Sequence, residues 1–167
     1  MKYLVVSDIH GNDKMITKLY KIVFFHQPTK IILLGDLGGF FHPNDRIIDF
    51  IEEYKDKIIL IKGNCDDREQ YKMDMLDYYK ETINGVNFIF THGHLMLPIS
   101  TNDYDVFVQG HTHIGEITEY DDKIIFNPGS LSQPRGESVN SYGLITDNEI
   151  ELYDINDSVI KKLSYRK

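Results

Sequence analysis

Short aliphatic runs alternate with amphipathic stretches through the first third of the chain. The runs are Tyr3-Leu4-Val5-Val6, Lys30 to Leu34 and Lys57 to Ile61, and residues 13–26 and 44–55 carry helix-like spacing between them. Continuous β-branched runs suit strands covered on both faces, and the crossover rule joins such strands in parallel. The chain should therefore open as βαβαβ. From about residue 79 the pattern becomes strand after strand, over 80–83, 86–90, 104–109, 114–120, 123–126, 141–146, 149–154 and 158–164. Asn84-Gly85 and Asp147-Asn148 read as hairpin turns. The two halves together predict an α/β fold, a four-layer α/β/β/α sandwich of two mixed sheets flanked by helices. Neither a linker nor a repeat divides residues 1–167, so one domain is expected.

Composition adds limits. At 167 residues, with 41% hydrophobic and 26% charged, the chain has the balance of a folded domain that can bury a core. The apolar run in MKYLVVSDIHGN meets charge at Asp8, too soon for a signal peptide or a membrane span. A cytoplasmic location without membrane attachment is expected. The single cysteine, Cys65, excludes an internal disulfide. A net charge of −8 argues against general nucleic-acid binding, which draws its affinity from Lys and Arg on phosphates. A phosphate site here would need its own source of positive charge.

That source is legible where the strands end. Asp8-Ile9-His10, Gly35-Asp36, Gly63-Asn64-Cys65-Asp66, Thr91-His92-Gly93-His94 and Gly110-His111-Thr112-His113 each follow a predicted strand. Ligands of α/β sheets collect beyond the carboxyl ends of the strands, so these five loops should converge. Carboxylate and imidazole together suit first-row divalent ions, whereas calcium would take oxygen alone. In Asp8-x-His10 and His111-x-His113 the two side chains would share one face of an extended segment, with glycines supplying the tight turns. Asp36 is the natural bridge between two cations, and Asn64 adds a neutral carbonyl oxygen. Two divalent ions against Asp8 and Asp36 leave about +2 to attract phosphate. Such a pair, roughly 3.5–4 Å apart, activates a bridging water for in-line attack on phosphorus.

Each histidine alone is more often a satisfied polar residue than a ligand; the ordered set reverses that. His26 and His42 fall outside every motif and read as ordinary polar residues. His94 competes with His92 as the ligand of its loop, with His92 favoured. Asn12 suits either a helix N-cap or a substrate contact. Asp66 would orient a ligand or cap the next turn, Arg135 would bind phosphate or pin its loop, and Cys65 could be a small buried hydrophobe.

The order DxH, GD, GNxD, HGH, GHTH, from Asp8 to His113, resembles the calcineurin-like metallophosphoesterase superfamily. Cys65 in GNCD, the DIHGN opening, and Asn127-Pro128-Gly129-Ser130 followed by Pro134-Arg135 are similar to its small YfcE-type phosphodiesterases. The resemblance implies one metal held by Asp8, His10, Asp36 and His113 and another by Asp36, Asn64, His92 and His111. It implies catalytic roles for Asp36, Asn64, Cys65 and His92, and substrate contacts from Asn12, Asn64, Cys65 and Arg135. Many relatives carry histidine where this chain has Cys65, a poorer proton donor, and the diesterase branch tolerates the change. The cofactors implied are two divalent ions, Mn2+ first and Ni2+, Zn2+ or Fe2+ as alternatives. The activity implied is hydrolysis of small phosphodiesters, with a phosphomonoesterase or nucleotide hydrolase as the alternative. A non-catalytic scaffold of the same fold, like the retromer's sorting subunit, is the second alternative, and there key ligands are lost. The many short strands leave edges that would suit a homodimer.

Overall fold

The computed structural model of the chain describes residues 1–39, 44–69, 71 and 74–166, so His42 lies outside the described residues. Strands β1 (Tyr3–Val6), β2 (Lys30–Leu33) and β3 (Ile58–Leu60) pair in parallel, as the alternating pattern predicts. Helices α1 (Asp13–His26) and α2 (Asp45–Glu53) connect them. Each helix starts on an asparagine: Asn12 Oδ1 accepts the Met15 N–H at 3.2 Å and Asn44 Oδ1 the Arg46 N–H at 2.8 Å. Those bonds satisfy donors that a first helical turn leaves without partners.

Side-chain alternation explains why β1 reads as apolar throughout. Leu4 and Val6 pack with Ile31, Leu33, Ile16, Leu19 and Phe50 beneath the helices. Tyr3 and Val5 point the other way, with Ile32 and Leu34, into a layer shared with Phe88, Phe90, Val108 and Phe126. Both faces of the strand are therefore core.

The second half builds β4 (Tyr78–Ile83), β5 (Val86–Thr91), β6 (Val106–Gln109), β7 (Gly115–Tyr120) and β8 (Lys123–Pro128), ordered β4-β5-β6-β8-β7. Strands β9 (Ser141–Ile145), β10 (Glu149–Asp154) and β11 (Val159–Ser164) instead join the first sheet, giving β11-β10-β9-β1-β2-β3. Both sheets are mixed, and both expected hairpins form, β4 with β5 and β9 with β10. The two α-helices cover the outer face of the six-stranded sheet. Over the five-stranded sheet the outer layer is a loop, whose Leu95, Leu97, Ile99 and Tyr104 border a hollow with Phe107 and Gln109. Its one helical turn among the described residues is the 3-10 turn Thr101–Asp103. Pro98 in that loop lacks the N–H that a helix interior needs. None of the described helices is long and apolar enough to cross a membrane.

Candidate metal centre

The carboxyl ends of β1, β2, β3, β5 and β6 meet along one edge of the two sheets. The expected extended geometry around Asp8 and His10 is not what brings their side chains together. Of nine non-glycine residues with positive φ among the described residues, five belong to the motifs: Asp8 (55°), His10 (50°), Asp36 (51°), His111 (66°) and His113 (64°). The left-handed region costs a non-glycine residue roughly 1–2 kcal/mol, and such strain gathers where a site must be held in shape. The ligand residues themselves, as well as their glycine neighbours, make the turns.

Hydrogen bonds hold the turns in place. Asp8 N–H donates to Gly35 O, and Ile9 and His10 N–H both donate to Asp36 O, each at 3.0 Å, lacing the first loop to the second. Asp8 O accepts from Ser130 Oγ at 2.7 Å and Ser132 Oγ at 3.1 Å. Asp8 Oδ2 accepts from Ser7 Oγ at 2.6 Å and from the His111 N–H at 3.1 Å. Asp66 is neither a helix cap nor a partner of a histidine N–H. Its buried carboxylate accepts the backbone N–H groups of Asp36 (2.6 Å), Gly63 (2.9 Å) and Leu37 (3.0 Å), tying the second loop to the third. Gly63 permits that closeness, because a Cβ there would overlap the Asp36 carboxylate.

The donor atoms form three interlocking groups, each within 4.8 Å: Asp8, His10 and His113; Asp36, His92 and His111; and His10, Asp36 and Cys65. Asp36 lies between the first two, its Oδ2 3.4 Å from His92 Nε2 and 3.9 Å from His10 Nε2. His92 Nδ1 is 2.7 Å from Leu34 O and His113 Nδ1 is 2.6 Å from Gln133 O. Those carbonyls accept the Nδ1 protons and turn both Nε2 atoms toward the centre, where a metal would displace any proton they carry. Asn64 Oδ1 stands 3.1 Å from His92 Nε2.

The electrostatics fit cations. Asp8 Oδ1 is fully buried without a hydrogen bond, although His113 Nε2 lies 3.1 Å away. His10 and His113 point their Nε2 atoms at each other across 3.4 Å, where one proton at most can sit. Burial would raise the Asp36 carboxyl, but His92 and the Cys65 backbone N–H hold it well below the usual range. Burial and the Asp36 charge push the Cys65 thiol up to about 12, so in the ion-free protein it is neutral. A divalent ion in either Asp–His group would satisfy these atoms together.

Arg135 borders the same cleft of about 350 Å³, with His10, Asp36, Asn64, Cys65 and His113. Its guanidinium forms neither a hydrogen bond nor an ion pair with the described residues, while its backbone N–H donates to His113 O at 3.2 Å. Asn12 spends its side-chain oxygen on the helix cap and does not border the cleft. His94 stays outside the donor groups, its ring 5.2 Å from that of His92 and its buried Nδ1 without a partner. A larger hollow of about 470 Å³ near Asn84 and Tyr165 borders none of the donor groups.

Asn127 and Ser130 escaped sequence reasoning as site residues, and the Asn-Pro-Gly-Ser motif was their only signal. Asn127 Nδ2 donates to Gly110 O at 3.0 Å and Thr112 Oγ1 at 2.9 Å, fixing the turn between His111 and His113.

Paired sheets that bring carboxylates and imidazoles together at their strand ends define a metal-dependent phosphoesterase. Residues 1–149 match the model of the calcineurin-like phosphoesterase superfamily domain, and the chain belongs to that superfamily. It is a metal-dependent phosphoric ester hydrolase of the YfcE-type branch. Phosphodiesterase YfcE of Escherichia coli (strain K12) is 28% identical over 178 residues, spanning 96% of this chain and 95% of the relative. The solved structure of YfcE, a phosphoesterase from E. coli, matches with a TM-score of 0.87 at 25% identity, over 99% of this chain and 100% of that one. A phosphodiesterase of Methanocaldococcus jannaschii is 29% identical over 143 residues, 77% of this chain and 83% of the relative. Vps29 of Chaetomium thermophilum shares the fold, with a TM-score of 0.72 at 19% identity over 100% of this chain and 99% of that one.

Proposed function

We propose that the protein, acting as one domain over residues 1–167, hydrolyses small phosphodiesters with two divalent ions. The observation that carries this is Asp36, whose Oδ2 lies between His10 and His92, one from each of two Asp–His groups. Asp8, His10, Asp36 and His113 would hold one ion, and Asp36, Asn64, His92 and His111 the other. Mn2+ is proposed first by this mainly oxygen and nitrogen donor set, with Ni2+, Zn2+ and Fe2+ as alternatives. When bound, the ions would acidify a water, align phosphorus for in-line attack and neutralise the charge developing on its oxygens.

The chain's own residues position and hold. Leu34 O and Gln133 O fix the tautomers of His92 and His113, so neither ring turns its proton toward the substrate. Arg135 lines the cleft wall, exposed and unpaired among the described residues, and would take the phosphoryl oxygens in a forked contact. Cys65 lines the same wall beside Asp36. A cytoplasmic setting suits a chain whose only cysteine stands at the site.

Ion-free protein loaded with manganese should turn over a bis-aryl phosphate faster than an aryl monophosphate. Diester turnover that manganese does not raise would overturn the proposal, and a faster monoester would replace the diesterase reading with a phosphomonoesterase.

A further inference from the structure

We propose that Cys65 is a sulfur ligand of the ion beside His10 and Asp36, and that it turns this position toward thiophilic metals. The inference rests on the two-ion reading above and adds a donor to it. Cys65 Sγ, a His10 nitrogen and an Asp36 carboxylate oxygen form one group within 4.8 Å. Sulfur would join Asp8, His10, Asp36 and His113 as a fifth donor, at a bond length of about 2.3 Å.

The sulfur is held from two sides. The Cys65 backbone N–H donates to Asp36 Oδ1 at 2.8 Å, which fixes the residue over the shared carboxylate. Asn64 Nδ2 donates to Sγ at 3.3 Å, a contact that stabilises negative charge on sulfur. An independent observation comes from the opposite wall. Asp8 Oδ1, fully buried and without a hydrogen bond, lies 3.7 Å from His10 Nε2, the ring that Cys65 also approaches. The space His10 faces is therefore bordered by an unpartnered carboxylate oxygen on one side and by the Cys65 sulfur on the other. As the sulfur–metal bond forms, the thiol proton leaves to solvent.

The consequence is selectivity. Oxygen and nitrogen donors separate first-row ions poorly, whereas a sulfur donor favours zinc, cobalt or iron over manganese and magnesium. One ion position would thus differ in character from its neighbour.

Cobalt reports on this without relying on turnover. The ion-free full chain is loaded with Co2+, its cobalt content is measured, and the near-ultraviolet spectrum is recorded. A sulfur-to-cobalt charge-transfer band is expected in the wild type and should be lost in Cys65→Ser at equal cobalt content. With one cysteine in the chain, a thiolate band has a single source. Full cobalt occupancy without the band overturns this inference and leaves the two-ion reading standing, whereas no cobalt uptake overturns both. Should Cys65→Ser fail to fold, cobalt X-ray absorption on the wild type decides. A sulfur scatterer at about 2.3 Å supports the proposal and oxygen or nitrogen neighbours alone refute it.

Discussion

Two polar clusters, each built around buried histidine, sit in this fold under opposite conditions. At the end of α1, His26 Nε2 lies 2.8 Å from Tyr142 Oη, whose hydroxyl donates to Asp157 Oδ1 at 2.8 Å. Lys18 reaches Asp157 Oδ2 at 2.9 Å, and Tyr153 stacks on Tyr142 while its hydroxyl donates to Glu151 at 2.6 Å. Each of these polar atoms finds its partner within the chain. At the sheet edge Asp8 Oδ1 has none, and His10 and His113 turn their Nε2 atoms toward each other at 3.4 Å. A buried polar atom left unsatisfied costs about 1–3 kcal/mol, so the chain tolerates at the edge what it avoids at α1. The difference marks one cluster as structure and the other as a binding site.

The strongest way to break this contrast is Asp36→Asn. With metal supplied, diester turnover should fall by about a thousandfold or more, corresponding to roughly 4 kcal/mol of lost charge stabilisation. The ion-free protein should lose some stability as well, because the fold favours the ionised carboxylate over a neutral group, although the amide oxygen still accepts the Cys65 N–H. A variant that unfolds early yet keeps turnover would assign Asp36 to structure.

Asp66→Ala sharpens the contrast from inside the site. Asp66 is as buried as its neighbours but fully partnered, so it should behave like the α1 cluster. Losing the acceptor of three backbone N–H groups should cost about 3 kcal/mol and lower Tm by roughly 6–12 °C, measured by calorimetry on ion-free protein. A shift under about 2 °C would show that the loops close without it.

Metal itself is the next lever. Manganese at about 100 times its Kd should stabilise the protein by roughly 2.7 kcal/mol, a Tm rise of about 5–10 °C that a chelator reverses. Asp36→Asn should cancel most of that rise and Tyr142→Phe none of it. Equal responses in the two variants would erase the distinction between the clusters.

Much of this contrast was legible in the sequence, and the remainder depended on contacts. The first three strands could be read because two-sided burial writes unbroken apolar runs, and the ligand motifs because they recur at strand ends. That β9, β10 and β11 complete the first sheet could not be read, since a period of two shows a strand's faces but not its partner. Spacing left His92 and His94 in competition; what separates them in the fold is Leu34 O, which fixes one ring and belongs to a distant segment. Asn12 was open between two roles, and its bond to Met15 shows only the cap. The left-handed Asp8, His10 and Asp36 had no signal, because local propensity opposes that geometry and only the surrounding hydrogen bonds impose it.

The smallest expected effect concerns His26 and fixes the sign of its pH response. Burial, with help from Lys2 and Lys18, lowers its pKa, while Asp157 and Glu151 pull the other way. The folded state therefore takes up a proton at lower pH than the unfolded chain, whose histidine titrates near 6.5. Stability from neutral His26 is full above about pH 6.5 and is lost as pH falls through the lower folded value. His26→Gln keeps a hydrogen-bonding group without the titration. Urea unfolding of both ion-free proteins from pH 7 to pH 5 should show wild type losing more stability than the variant, the site histidines cancelling between them. A variant that loses as much as wild type would mean that His26 is solvated on protonation at no cost, and its cluster would then be less closed than its hydrogen bonds imply.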